Sequence, residues 1–493
     1  MTGGPMTAAQ ADTLVARLPP LAGITADSRR VAPRVAFAAY PGAQRDGRAF
    51  IGDALARGAA AVVWEAQGFA WDPRWNLPQV AVADLKASVG VIASAVHHHP
   101  SRMLWMCGVT GTNGKTSCAH WIAQALRSCG RRRVALVGTL GNGFVDALAP
   151  TDNTTPDACL LQELLARWLR EGAEAVAMEV SSHGLDQGRV NGVAFDVALF
   201  TNLTRDHLDY HPTMEAYGAA KARLFEWPGL QAAVVNGGDP FGRTLIGRLR
   251  ARGGPVISYG ADDADIVATR VDMTGPRMTI TVRTPQGEGA IVTALAGAFN
   301  VQNLLGVLGV LLASDVALAD ALAALSRVTA PPGRMERLGG AEGEPLVVVD
   351  YAHSPDALAK VLAAMRPAVR AGGRLVCVFG CGGDRDRGKR APMGEIAGRC
   401  ADRVVVTSDN PRREDPRAIA DDVVEGLRPV AADWSVELDR ERAIERALAD
   451  AREGDVVVVA GKGHEDYQEA NGVRTPFSDA RSIAAVLARR RER

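Results

Sequence analysis

Residues 107–120 read CGVTGTNGKTSCAH. The stretch nearly spells the phosphate-binding pattern G-x-x-x-x-G-K-[ST], except that Val109 stands where its first glycine belongs. A phosphate loop needs small residues where backbone N–H groups approach the ligand, a helix N-terminus aimed at it, a lysine for the β/γ charge and a hydroxyl for Mg2+. Gly111, Gly114, Lys115 and Thr116 supply these. They follow the apolar run LWMCGV, which reads as a buried strand, and head a helix expected over 116–126. The missing glycine shortens the loop and leaves its chemistry intact.

Working outward, RVALVG, AVAMEV and DVALF read as further strands and 157–170 as a helix. Strands alternating with helices predict a parallel sheet covered on both faces, so 101–330 is expected to be an α/β domain. At VTAPPGR two prolines break any helix and a glycine turns the chain. The alternation then restarts with PLVVVD, RLVCVFG, DRVVVTS and DVVVVAG, which predicts a Rossmann-like domain over 331–493. Residues 1–100 mix short apolar runs with turn signals and form a smaller first domain. They end at HHHPSR, read as a linker with His97, His98 and His99 on a solvated loop. Three α/β domains suit a chain of 493 residues at roughly 150 residues per domain.

Lys and Arg together number 56, as do Asp and Glu, so no overall basic field is offered to nucleic acid or anionic lipid. An anionic substrate must be met by local groups. The start lacks the pattern of a secretory leader, and no run approaches the ~18 apolar residues of a membrane span, so a cytoplasmic protein is expected. Seven scattered cysteines without a CxxC pair read as reduced core thiols, and the final ARRRER as a solvated basic tail.

Two more candidates stand at strand ends, where ligands bind in parallel sheets. MEVSSHGLDQGR puts Glu179 at the carboxyl end of one strand, and TNLTRDHLDYH puts His207 just after another. Beside a triphosphate both can ligate Mg2+, although magnesium prefers oxygen, and each is as readily structural. Lys221 in YGAAKARLF reads by itself as an ordinary helix lysine. NTTPD serves equally as a helix cap, Asn410-Pro411 as a turn and GKGHED as a glycine-rich strand exit.

Together GTNGKTS, MEVSSHGL, TNLTRDHLDYH, the helix carrying Lys221, GAFNVQN and VDYAHSPDAL resemble the Mur ligase family, in the right order over nearly the whole chain. DSRRV followed by GAQRDGRAF resembles the UDP-binding module of members that add the third peptide residue, and DNPR at 409–412 resembles their diaminopimelate-adding form. The resemblance implies a monomeric ATP-dependent, amide-forming ligase. The D-glutamate carboxylate of UDP-N-acetylmuramoyl-L-alanyl-D-glutamate would attack the γ-phosphoryl group of ATP, and the amine of meso-diaminopimelate would then displace phosphate from the acyl phosphate.

The same resemblance implies the site. Gly111, Thr112, Asn113, Gly114, Lys115, Thr116 and Ser117 would hold the ATP phosphates, and Asn300, Asn303, Arg334 and Asp350 the rest of the nucleotide. Two Mg2+ ions would be served by Thr116 and Glu179 and by His207 with Lys221, the lysine carbamylated by CO2 to N6-carboxylysine. Ser28 is assigned to uridine, and Asn153, Thr154, Thr155, Ser181, Gln187 and Arg189 to the sugar, pyrophosphate and peptide. Arg385, Asp409, Asn410, Pro411, Arg412, Gly461 and Glu465 match the diaminopimelate site. The chain departs from the family pattern at the expected uracil contact, where Ala43 and Arg45 flank Gln44. Three rivals stand beside this reading. A folylpolyglutamate-type synthetase lacks the first domain, a lysine-adding relative differs mainly at Arg412, and a nucleotide-dependent switch would bind without ligase turnover.

Overall fold

The computed structural model describes residues 6–42, 45–130, 133–151, 153–273, 277–431 and 433–491. Ala43 and Gln44, and with them the expected uracil contact, lie outside the described residues.

The apolar run before the phosphate loop forms the strand Trp105–Thr110, fourth in a sheet of eight. Across that sheet the strands run 256–259, 232–236, 197–200, 105–110, 175–179, 134–138, 141–144 and 147–149. The first six are parallel, and the last two turn back as antiparallel partners. Alternate side chains of Trp105–Thr110 serve two cores. Cys107 and Val109 pack with Trp121, Leu126, Leu304 and Leu308 under the helices Lys115–Ser128 and Phe299–Leu312, whereas Met106 packs with Leu161, Leu165 and Trp168 of the helix Ala158–Arg170. Burial on both faces explains why these strands read as unbroken apolar runs.

Register decides what meets at the sheet's carboxyl edge. Val109 lies opposite Glu179 and Thr110 opposite Phe200, so the loop after Thr110, the Glu179 carboxylate and the segment after Phe200 rise side by side. Adjacent strands lie about 4.8 Å apart, which brings groups far separated in sequence within reach of one ligand.

The expected alternation is interrupted in one place. Between the strand Val256–Tyr259 and the helix Phe299–Leu312 the chain forms a three-stranded antiparallel sheet, Val267–Asp272, Met278–Thr284 and Gly287–Thr293. Its strands are half-buried, with Ile280, Val282 and Ile291 turned inward, so the signal is a short alternation and not an apolar run.

The third domain carries a sheet in the order 336–339, 346–350, 456–460, 375–379, 403–406 and 434–436, parallel except at the first strand. The first domain has four parallel strands, Gly23–Thr25, Val35–Ala39, Ala61–Glu65 and Gln79–Val82.

Two surface expectations are corrected. HHHPSR is not a solvated linker. His97 ends the helix Leu85–Val96, His99 reaches Asp12 at 2.8 Å, and Pro100 and Ser101 are buried in a single 3-10 turn. The basic tail is a helix as well, Asp479–Arg491, in which Arg490 donates to the Ala451 carbonyl at 2.8 Å and Arg491 to Glu344 at 2.6 Å. Arg490 extends over the end of the helix Arg440–Ala449, whose last carbonyls need donors, and Arg491 pairs with a carboxylate. The cysteines are free thiols as expected, five of them buried and Cys129 and Cys400 half-buried.

Candidate active site

Two loop glycines hold backbone that other residues disfavour. Gly111 has φ 148° and Gly114 φ 87°, and a Cβ on Gly111 would sit 1.9 Å from Thr201 Oγ1. The loop can therefore lie against Thr201 and Asn202, whose side chains hold Asn113. Asn202 Oδ1 accepts from the Asn113 N–H at 3.0 Å, and Thr201 Oγ1 donates to the Asn113 carbonyl at 2.6 Å.

Two lysines converge on this loop. Lys115 Nζ donates to the carbonyls of Gly111 and Thr112, both at 2.9 Å. Lys221, 1% exposed, donates to the same Gly111 carbonyl at 2.8 Å and lies 4.4 Å from the Tyr217 ring. Burial holds both amines below the ordinary lysine range, Lys221 far below it, and the charge of Lys115 pushes Lys221 further down. Lys221 is thus no surface lysine: its helix turns it inward among Tyr217, Ala220 and Ala222.

Glu179 faces the same loop. Its Oε2 accepts from Thr116 Oγ1 at 3.0 Å and Thr139 Oγ1 at 3.1 Å, while its Oε1 accepts from the Thr139 N–H at 2.8 Å. Arg334, from the third domain, donates to Thr116 Oγ1 at 3.1 Å. His207 stands beside these groups with its backbone left-handed, φ 54°, strain of the kind that collects at functional sites. Burial lowers its imidazole to about 4, against the pull of Asp206 3.6 Å away, so at neutral pH the ring is uncharged.

Among the described residues no group of three His, Cys, Asp or Glu could hold a metal ion by itself. The oxygens of Thr116 and Glu179 nevertheless fit Mg2+, which commonly takes one or two protein oxygens and completes its shell with water and substrate phosphates.

Between the loop and the third domain lies a cavity of about 490 Å³ lined by Asn113, Asn300, Asn303, Arg334, Asp350 and Tyr351 among others. The predicted nucleotide residues therefore share one space with the loop. Asp350 accepts from the N–H groups of Met335 and Ala352 at 2.8 Å each, and Arg334 stacks 4.4 Å from the Tyr351 ring.

Most residues assigned to the UDP substrate also gather on the central domain. Thr155 Oγ1 donates to the Glu179 carbonyl at 2.9 Å and accepts from the Ser181 N–H at 3.1 Å. Arg189 donates to the Thr155 carbonyl at 2.8 Å and to Gln187 at 2.9 Å, and Thr154 meets Thr139 at 3.1 Å. Ser181 caps the helix Ser182–Asp186, so part of its polarity is structural. Asn153 is exposed and exchanges hydrogen bonds with Thr151 two residues before it, and Ser28 opens the turn Ser28–Arg30 on the first domain.

The assigned amine residues rise from the carboxyl edge of the third sheet. Asn410 Nδ2 donates to Glu465 at 2.8 Å, and a Cβ on Gly461 would lie 2.8 Å from Asp409 Oδ2. Pro411 leads into Arg412, whose backbone is again left-handed at φ 51° and is pinned to Glu469 and Asn471 of the hairpin 467–476. The Arg412 guanidinium donates to the Gly383 carbonyl at 2.9 Å, while Arg385 is exposed nearby.

Three family models match between residues 20 and 463: the Mur ligase family catalytic domain at 20–97, the Mur ligase middle domain at 109–311 and the Mur ligase glutamate ligase domain at 333–463. The chain belongs to the Mur ligase family. It is similar to the UDP-N-acetylmuramoyl-L-alanyl-D-glutamate–2,6-diaminopimelate ligase of Chromobacterium violaceum, 53% identical over 95% of this chain and 94% of that one, and to that of Pseudomonas aeruginosa, 51% identical over 94% of each. A solved structure of a ligase of the same name has a TM-score of 0.68 at 37% identity and covers 96% of both chains. A folylpolyglutamate synthase from Mycobacterium tuberculosis shares the fold at 19% identity, with a TM-score of 0.62, over 75% of this chain and 90% of that one.

Within this Mur ligase, sequence reasoning missed two residues that hold the named ones in place. Thr139, in VGTLGN, grips Glu179 with both its N–H and its hydroxyl. Lys462, in GKGHED, is completely buried and donates to Glu465 at 2.8 Å and to Asn410 at 3.1 Å. Glycines on either side of Lys462 disguised it as part of a turn.

Proposed function

We propose that this Mur ligase joins meso-diaminopimelate to the D-glutamate of UDP-N-acetylmuramoyl-L-alanyl-D-glutamate at the expense of ATP, as its relatives' names describe for them. The observation that carries the reading is the contact from Arg334 to Thr116: it joins the phosphate edge of the central domain to the domain bearing the arginine turn. We divide the chain functionally at 100/101 and 330/331.

A carboxylate acylates an amine only after one oxygen becomes a good leaving group, and phosphoryl transfer depends on positioning and charge neutralisation. Lys115 would leave the carbonyls of Gly111 and Thr112 for the β/γ-phosphates, and the loop N–H groups would receive the remaining oxygens. Asn300, Asn303, Arg334 and Asp350 would orient the nucleotide. Mg2+, held by Thr116 and Glu179 with His207 and carbamylated Lys221 as further ligands, would supply charge neutralisation; we place two ions here. Carbamylation needs a neutral amine, and burial together with the charge of Lys115 shifts Lys221 toward that state. Thr155, Ser181, Gln187 and Arg189, with Asn153, Thr154 and Ser28, would hold the UDP substrate.

In the third domain Arg412 and Arg385 would take the distal carboxylate of diaminopimelate, and Asp409, Asn410 and Glu465 its ammonium groups. An arginine fork binds a carboxylate through two parallel hydrogen bonds, and lysine lacks the distal carboxylate that would meet it. We place the enzyme in the cytoplasm, acting as a monomer. Phosphate release from ATP tests the reaction class: it should require both the UDP-dipeptide and the amino acid. Release indifferent to both would make the protein a nucleotide-dependent switch.

A further inference from the structure

One polar pair outside the assigned residues sits where the third domain meets the phosphate loop. The helix Pro355–Met365 is capped by Ser354 and carries Asp356 in its first turn, where a carboxylate is favoured. Asp356 Oδ2 accepts from Asn113 Nδ2 at 3.1 Å and from Lys360 Nζ, one turn later, at 2.8 Å. The Asn113 backbone is already fixed by Thr201 and Asn202, so its side chain is free to reach across to the third domain, as Thr116 does toward Arg334. Lys360 lines the same cavity as Asn113, with its side chain 41% exposed.

A half-exposed pair four residues apart contributes little to helix stability. Its location matters more. A carboxylate bonded to a phosphate loop opposes an incoming polyphosphate, and a lysine at 2.8 Å offsets that charge. We propose that Asp356 is a latch tying the third domain to the phosphate loop through Asn113, and that Lys360 is a positioning residue that permits nucleotide binding by neutralising the latch. The inference rests on reading the loop as the ATP site.

The two roles separate because asparagine at 356 keeps an acceptor for Asn113 without the charge. The probe is a non-hydrolysable ATP analogue with Mg2+, titrated calorimetrically beside steady-state kinetics, with thermal melts to confirm folding. Lys360→Ala is expected to weaken analogue binding and raise KM for ATP about tenfold with kcat little changed. Adding Asp356→Asn to that variant should restore both to within about twofold. Asp356→Ala, which also removes the acceptor, should lower kcat about fivefold at unchanged analogue affinity. An unchanged KM in Lys360→Ala, no recovery in the double variant, or an unchanged kcat in Asp356→Ala would each overturn the proposal. Failure of the unmutated protein to bind the analogue would overturn the assignment of the loop as well, which distinguishes the two failures.

Discussion

Lys221 and Lys462 are both buried at the carboxyl edge of a sheet, yet their surroundings differ. Lys462 lies among Glu465 at 2.8 Å, Asn410 at 3.1 Å and Asp409 at 3.8 Å. Lys221 has the Gly111 carbonyl, the Tyr217 ring and the repelling charge of Lys115. A buried charge must be paired or give way to its neutral form. Lys462 is paired, and its charge holds two side chains of the amine edge in place. Lys221 is driven toward the free amine, the form that reacts with CO2. Pairing favours a fixed shape at one edge, and burial without a counter-charge favours a reactive amine at the other.

The comparison can be broken at either edge. The largest effect is expected from Lys115→Ala, on the order of 10³-fold in kcat, because its charge would act on the phosphoryl group in flight. Circular dichroism should show an intact fold. Lys221→Ala should follow with a loss of about 10²-fold, partly recovered when acetate is added, since the proposed carbamate would work through its oxygens. Full activity of this variant in CO2-free buffer would remove the chemical role of the phosphate edge.

Effects at the third-domain edge should fall on the amino acid alone. Arg412→Ala is expected to lower kcat/KM for diaminopimelate about 10²-fold while KM for ATP stays put. Lys462→Met sharpens the contrast further. Removing the cation that fixes Glu465 and Asn410 should raise KM for diaminopimelate about tenfold, with kcat reduced less. An equal rise in KM for ATP would mean that Lys462 supports the whole interface, and the distinction between the edges would be lost.

The phosphate edge was legible because its requirements are local. A strand, two glycines in tight backbone, a lysine and a hydroxyl must follow one another, and all that follows the strand stands within the seven residues 111–117. Lys221 and Glu179 were not legible in this way: their position depends on register across strands and on which face of a helix is buried. Only the family resemblance singled out Lys221. Thr139 and Lys462 escaped notice because each acts through a neighbour brought close by the fold. The antiparallel insert at 267–293 was hidden for another reason, since short half-buried strands lack the apolar runs that marked the parallel ones. Arg412 was named from its motif, but its left-handed backbone and its anchorage on the hairpin 467–476 appear only in three dimensions.

The central claim is that the phosphate edge activates a carboxylate and the arginine edge selects the amine that captures it. Mass analysis of the product formed from ATP, UDP-N-acetylmuramoyl-L-alanyl-D-glutamate and an equimolar mixture of meso-diaminopimelate and lysine tests both halves at once. The expected result is one new UDP-linked product bearing diaminopimelate, with the lysine adduct lower by about 10⁴-fold, as a site built to pair a polar group can achieve. Equal amounts of the two adducts, or ADP formed without any UDP-linked product, would contradict it.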